Sequence, residues 1–157
     1  MSKSGGADGK KVVARNKRAL RDYHILDRFE AGLVLTGPEV KSLRAGKVSI
    51  AESFARVDRG EVWLHGAHVT PYDPAGPWNA DPTRPRKLLL QKREIRRLLG
   101  ATQEKGLTLV PLDLYFRRGL AKLTLALARG KKLHDRREDL KQRAADREME
   151  RAMRRGR

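Results

Sequence analysis

Leu107, Leu109, Leu112, Leu114 and Phe116 lead up to Arg117-Arg118-Gly119, and Leu123, Leu125 and Leu127 return from it in alternation with Lys122, Thr124 and Ala126. A period of two around a glycine-bearing turn dictates a β-hairpin with one face on a core and Lys122 on the other. Pro111 breaks the alternation of the first arm, so that arm needs an edge position or a bulge. The apolar pattern then stops at Gly130-Lys131-Lys132. Beyond it Leu133, Leu140 and Ala144 offer a thin apolar seam, while Arg143, Arg147, Arg151 and Arg155 recur every fourth residue and would form a slowly drifting stripe on a helix. Pairs such as Asp139 with Arg143 add only ~0.2–0.5 kcal/mol each, too little to hold a helix alone. Residues 131–157 are therefore expected to be a cationic tail, disordered when free and helical when laid along a polyanion.

Upstream, Tyr23–Leu35 reads as extended, with Gly32 at a bend or bulge. Gly37-Pro38-Glu39 opens a helix that Gly46 ends, since proline suits the first turn and an acid suits the positive helix end. Phe54–Val57 and Val62–His65 flank the hairpin turn Asp58-Arg59-Gly60, and His68–Tyr72 continues as a short strand. Four prolines make residues 73–85 a surface loop. Gln91–Leu99 is helical in composition with Gly100 as its stop, whereas Leu88–Leu90 is too short to assign by period. This inventory predicts a mainly β domain with short helices: a small antiparallel barrel of the OB type over residues 21–130, between a flexible basic arm (residues 1–20) and the cationic tail.

Charge narrows the function. With 157 residues, a net charge of +17 and no cysteine, the chain suits a polyanionic partner and excludes disulfides, thiol catalysis and cysteine-ligated zinc. No stretch approaches the roughly 20 apolar residues of a membrane span, and Met1–Gly9 is polar and unlike a secretory signal, so a cytoplasmic protein is expected. Stacking platforms for single strands need exposed aromatics, yet only eight aromatic residues exist, and Phe54, Trp63, Tyr115 and Phe116 fall where a core would want them. Arginine and lysine without stacking aromatics favour gripping the backbone and shape of a folded RNA; DNA stays open on these grounds, although no helix-turn-helix or basic-zipper pattern is present. The place of Trp78 in the proline loop is left open by the pattern, as exposed contact or as plug over a barrel end.

Catalytic readings are thin. Glu39-Val40-Lys41 has the Glu-x-Lys half of some metal-dependent nuclease sites, but such residues belong on a strand near another aspartate, and Pro38 with Gly46 places them on a helix. His65 and His68 lack further ligands, and neither a glycine-rich nucleotide loop nor a Gly-x-Ser-x-Gly elbow is present. No cofactor, metal or catalytic residue is expected. A general RNA chaperone or ribosomal protein is the other reading of the charge pattern.

Several longer strings resemble the SsrA-binding protein (small protein B) family. They are Asn16-Lys17-Arg18-Ala19, Phe29-Glu30-Ala31-Gly32-Leu33, Glu39-Val40-Lys41-Ser42-Leu43-Arg44-Ala45-Gly46-Lys47, Arg86-Lys87-Leu88-Leu89-Leu90, Pro111-Leu112-Asp113-Leu114-Tyr115-Phe116 and Gly130-Lys131-Lys132. The resemblance implies an OB-like barrel that binds the tRNA-like part of transfer-messenger RNA (tmRNA) and delivers it to stalled bacterial ribosomes, a monomer with no membrane partner. It implies tmRNA contacts at Asn16, Glu30, Leu90 and Lys122. It further implies that Gly130, Lys131, Lys132, His134, Asp135, Arg136 and Arg137 reach small-subunit ribosomal RNA at the decoding centre, with Arg143, Arg147, Arg151 and Arg155 in the empty messenger channel. Asp135-Arg136-Arg137 stands where the family usually has Asp-Lys-Arg, a planar guanidinium replacing a compact ammonium.

Overall fold

The computed structural model describes residues 9–131 and 133–155, with the first four residues of the final helix as backbone only. Among them the order is β1 (Lys10–Arg15), α1 (Lys17–Asp22), β2 (Tyr23–Leu33), α2 (Gly37–Arg44), β3 (Val48–Ser49), β4 (Phe54–Asp58), β5 (Glu61–His65) and β6 (His68–Val69). A 3₁₀ turn (Asp73–Trp78), β7 (Arg86–Leu89), α3 (Lys92–Thr102), β8 (Leu107–Arg117), β9 (Leu120–Gly130) and α4 (Leu133–Arg155) complete it.

The alternation of the last hairpin becomes β8 and β9, antiparallel through Arg117↔Leu120 to Leu107↔Arg129. Its turn, Arg118-Gly119, has positive φ at both residues (52° and 78°), the mirror-image twist that suits a two-residue hairpin. Arg59-Gly60 repeats this between β4 and β5. Strands β8, β4, β5, β7, β2 and β9 pair in that order, and β9 returns to β8, so the barrel closes. Its thinnest seam is the single pair Ala55↔Leu109 between β4 and β8.

Pro111 produces the expected bulge: the β8–β9 register shifts between Pro111 and Asp113. It also lies where one edge of β8 passes from β4, paired at Leu109, to β1, paired from Asp113 to Arg117. A residue with no N–H to donate fits that gap.

Leu109, Leu114, Leu123 and Leu125 from this hairpin meet Phe29, Ala31, Val62, Leu64 and Leu88 in the interior. Leu43 of α2 and Leu98 of α3 plug the core. Thr36 caps α2 reciprocally with Glu39, the Thr36 N–H donating to Glu39 Oε1 at 2.9 Å while Glu39 N–H donates back to Thr36 Oγ1.

Several expectations are corrected. The arm expected over residues 1–20 is part of the fold from Lys10 onward: β1 adds to β8, and Ala19 of α1 covers Val110, Ala126 and Ala128 in a second small core. The many cations of this stretch lie on exposed positions around a few apolar ones, which hid its order. Gly32 sits at no bulge, since β2 slips register between Ile25 and Asp27; a Cβ at Gly32 would stand 3.3 Å from the Cβ of Leu89, so the glycine allows close approach of β7. Phe54 and Trp63 take the outer face of the β4–β5 hairpin, because Ala55, Val62 and Leu64 hold the inner phase, and Phe54 stacks on His65 with centroids 5.4 Å apart. α3 runs past Gly100 to Thr102, whose hydroxyl donates to the Leu98 carbonyl at 2.7 Å.

Candidate nucleic-acid interface

The outer face of β2, β9 and β8 is built by the same alternation that fills the core. Phe29 and Ala31 point inward, so Glu30 points out, and cross-strand pairing sets it opposite Thr124; one step along, Gly32 faces Lys122. Lys122 in turn faces Tyr115. Because Gly32 lets β7 approach, the end of β7 and the start of α3 come alongside. Glu30, Gly32, Leu89, Leu90, Gln91, Glu94 and Lys122 thus line one open concavity of ≈ 430 Å³. Three residues separated by 60 and 32 positions, Glu30, Leu90 and Lys122, are brought together.

Glu30 is exposed but fixed. Its Oε2 accepts from the Tyr115 hydroxyl and from an Arg117 guanidinium N–H. Tyr115 is only 2% exposed, with Lys10 Nζ 4.4 Å and the Arg117 guanidinium 5.3 Å from its ring centroid. Burial first, and then the neighbouring Glu30 carboxylate, raise the Tyr115 pKa well above its ordinary value, so the phenol stays a donor. A carboxylate has about four acceptor positions, so Glu30 can accept further amino or 2′-hydroxyl protons without releasing these two. The floor therefore holds an oriented acceptor, the half-buried ammonium-bearing Lys122 and the apolar Leu89 and Leu90, with Arg28 exposed on the same face of β2.

Tyr115, Arg117, Lys10 and Leu89 were not assigned to this face from the sequence. The signal was present for two of them: Leu114 and Phe116 are inward, so Tyr115 and Arg117 share the phase of Lys122.

Asn16 lies elsewhere and is buried at the β1–α1 junction. Its Nδ2 donates to the carbonyls of Pro111 (2.9 Å) and Ile50 (3.4 Å), and its N–H to that of Leu112 (2.8 Å). Its geometry is that of a clamp between β1, β8 and the residue-50 turn.

The tail begins at the opposite end of β9. Gly130 pairs with Tyr23, eight residues along the strand from Lys122, which at ~3.3 Å per residue puts the tail root roughly 25 Å from the concavity. Lys131 is tied down: its N–H donates to the Asp22 carbonyl (2.8 Å), and its Nζ to the Leu20 carbonyl (3.0 Å) and to the Asp139 carboxylate. Asp139 therefore pairs with Lys131, not primarily with Arg143, and that bond is the first cause holding its carboxyl below the ordinary range. Lys132 lies outside the described residues, as do the side chains of His134, Asp135 and Arg136. Arg137, Arg143, Arg147, Arg151 and Arg155 are exposed on α4.

Glu39, the acid of the nuclease-like string, is consumed by the fold. It accepts from Arg84 Nε at 2.9 Å and Arg86 Nε at 2.8 Å, and Arg86 is itself 1% exposed. No cluster of three metal-ligating side chains exists among the described residues, and no described helix is long and apolar enough to cross a membrane.

Comparison with known proteins identifies the family. The model of the SmpB protein family matches residues 13–155. The chain is 56% identical to the SsrA-binding protein of Thermobifida fusca over 156 residues, covering 99% of this chain and 97% of that protein. The SsrA-binding protein of Carboxydothermus hydrogenoformans is 54% identical over 144 residues, covering 92% and 97%. Among solved structures, one described as "tmRNA-SmpB: a journey to the center of the bacterial ribosome" superposes with a TM-score of 0.66 at 53% identity, covering 80% of this chain and 92% of that one. By its fold, and by sequence along nearly its whole length, the chain belongs to the SmpB protein family.

Proposed function

We propose that this protein binds the tRNA-like part of tmRNA through the outer face of β2, β9 and β8 and brings it to stalled ribosomes, where α4 enters the vacant messenger channel. The observation that carries the reading is the single concavity joining Glu30, Leu90 and Lys122, in a chain whose relatives are SsrA-binding proteins. Its chemistry suits folded RNA. Glu30 accepts from base amino groups or 2′-hydroxyls, Lys122 neutralises a phosphate, and the leucines meet the apolar face of a sugar or base. Arg117, Lys10 and Arg28 surround this with positive charge that attracts the RNA and makes binding salt-dependent.

The tail works separately. Its root is roughly 25 Å from the concavity, and the arginines of α4 are solvent-facing on a helix with almost no apolar side to bury. Alone in solution such a helix is marginal. Along a phosphate-lined channel, Arg143, Arg147, Arg151 and Arg155 gain counter-charges and the helix becomes stable. A message still filling the channel competes with the tail, which restricts action to empty channels. Asn16 and Lys131 support this indirectly, the first by fixing β1 and α1 to the barrel, the second by setting the angle at which the tail leaves.

Competition binding tests the reading. Labelled tmRNA should be displaced by its own tRNA-like part but not by an equal mass of unrelated structured RNA, across a salt series. Equal displacement by both would leave a general basic RNA binder.

A further inference from the structure

From Gly60 to Thr83 the chain contains no lysine or arginine, the longest such stretch in a protein with 36 of them. The middle of this stretch is a projecting apolar knuckle: Pro74, Pro77 and Trp78 are exposed, and Trp78 is 81% exposed. A tryptophan so exposed is unusual, and the backbone of the loop that carries it is pinned. Asn79 bridges the loop, accepting from Tyr72 N–H at 2.9 Å and donating to the carbonyls of Tyr72 (2.9 Å) and Gly76 (3.1 Å). The base of the loop is locked by Arg86, which donates to the carbonyls of Pro82 and Ala67 (3.1 Å each) while it is neutralised by Glu39.

We propose that this loop is a protein-docking element, with Trp78 entering an apolar socket rimmed by lysine or arginine on a protein of the ribosome. Preorganisation is the first reason: an aromatic anchor on a loop whose backbone is already pinned leaves only its side chain to be ordered on binding, as a recognition hot spot requires. Charge is the second. From Tyr72 to Thr83 the only ionised groups are Asp73 and Asp81, and Arg84, at the loop's end, is paired with Glu39; the two aspartates repel phosphates and attract a basic rim. An RNA contact would want the opposite sign, and the concavity at Glu30 and Lys122 has cations around it where the stretch beside Trp78 has none. Proteins embedded in RNA assemblies are themselves basic, so a Lys- or Arg-rimmed socket is common there. The inference rests on the proposed function, which supplies the ribosome as the place of docking.

The test places a photo-activatable benzoylphenylalanine at position 78 or position 90 of the full chain. Each variant is irradiated with tmRNA and purified ribosomes stalled on a truncated message. Position 78 should give a nuclease-resistant protein adduct mapping to a peptide with lysine or arginine beside the cross-linked residue. Position 90 should give a tmRNA adduct. An RNA adduct at 78, or no adduct there while position 90 marks tmRNA, overturns the docking proposal alone. Absence of a tmRNA adduct at 90 counts against the proposed function instead. In parallel, Trp78→Ala should weaken ribosome binding about tenfold or more, the scale of a lost aromatic anchor, with tmRNA affinity and thermal midpoint unchanged. Asp73→Lys should weaken ribosome binding further than Asp73→Asn; equal ribosome binding by wild type and all three variants would also overturn it.

Discussion

Glu39 and Glu30 are each held by arginine from a strand far along the chain, yet one is sealed and the other open. Glu39 sits in the first turn of α2 with Arg84 and Arg86 around it, and Arg86 spends its remaining donors on loop carbonyls. Glu30 sits on the barrel surface with Tyr115 and Arg117 on one oxygen and the concavity beside it. The chemistry is nearly the same, but burial changes its consequence. A sealed pair fixes the chain, because removing one partner strands a charge where water cannot reach. An open pair contributes little stability and instead presents an oriented acceptor.

The sealed cluster should give the largest effect. Glu39→Ala strands two guanidiniums, one of them almost fully buried, and should cost about 3–5 kcal/mol in urea unfolding. Affinity of the folded fraction for tmRNA should not move. Burial pushes the Glu39 pKa up, but hydrogen bonds from Arg84, the Thr36 N–H and Arg86 outweigh it and leave the carboxyl below its ordinary 4.5. A depressed pKa gives stability that is complete above about pH 4.5 and is lost as pH falls through the folded value. Acid should therefore erode wild type more steeply than Glu39→Gln. Parallel acid profiles would show that Glu39 is not the titrating group.

Glu30→Ala should invert that pattern. Loss of charge-assisted hydrogen bonds to RNA should weaken tmRNA binding about tenfold or more, while stability shifts by under about 1 kcal/mol. A melt as damaged as that of Glu39→Ala would erase the contrast between the two glutamates. Lys122→Ala should weaken binding a few-fold and reduce the slope of log affinity against log salt by about 1, the signature of one phosphate contact. An unchanged slope would remove Lys122 from the phosphate side.

The smallest effect concerns the hairpin tips. Arg118 takes φ of 52°, a left-handed position that suits asparagine better than arginine. Arg118→Asn should raise stability by about 0.5 kcal/mol in thermal melts. Destabilisation would mean that the turn depends on arginine for a contact beyond its backbone shape.

What could be read from the sequence follows the range of the interactions. The β8–β9 hairpin, its turn and the Pro111 bulge were legible because period, glycine and proline act within a few residues. The place of Glu39 in the first turn of a helix was legible for the same reason, but its burial was not: Arg84 and Arg86 lie more than 40 positions away, and nothing local marks them as its partners. β1 and α1 were read as an arm because Lys10, Lys11, Lys17 and Arg18 dominate the composition, while Ala19 and Asn16, which do the packing, are small or polar. Phe54 and Trp63 were assigned to the core by residue type; the alternation through Ala55 and Leu64 would have put them outside. Glu30, Leu90 and Lys122 were named through family resemblance, and their convergence needed the barrel.

The most direct test pairs tmRNA binding with peptide tagging on ribosomes stalled on truncated messages, for the full chain and for one ending at Leu133. The account predicts equal, selective tmRNA binding by both and tagging by the full chain alone, because the concavity and the tail are separate devices at opposite ends of β9. Tagging by the shortened chain, or loss of tmRNA binding with the tail, would contradict it.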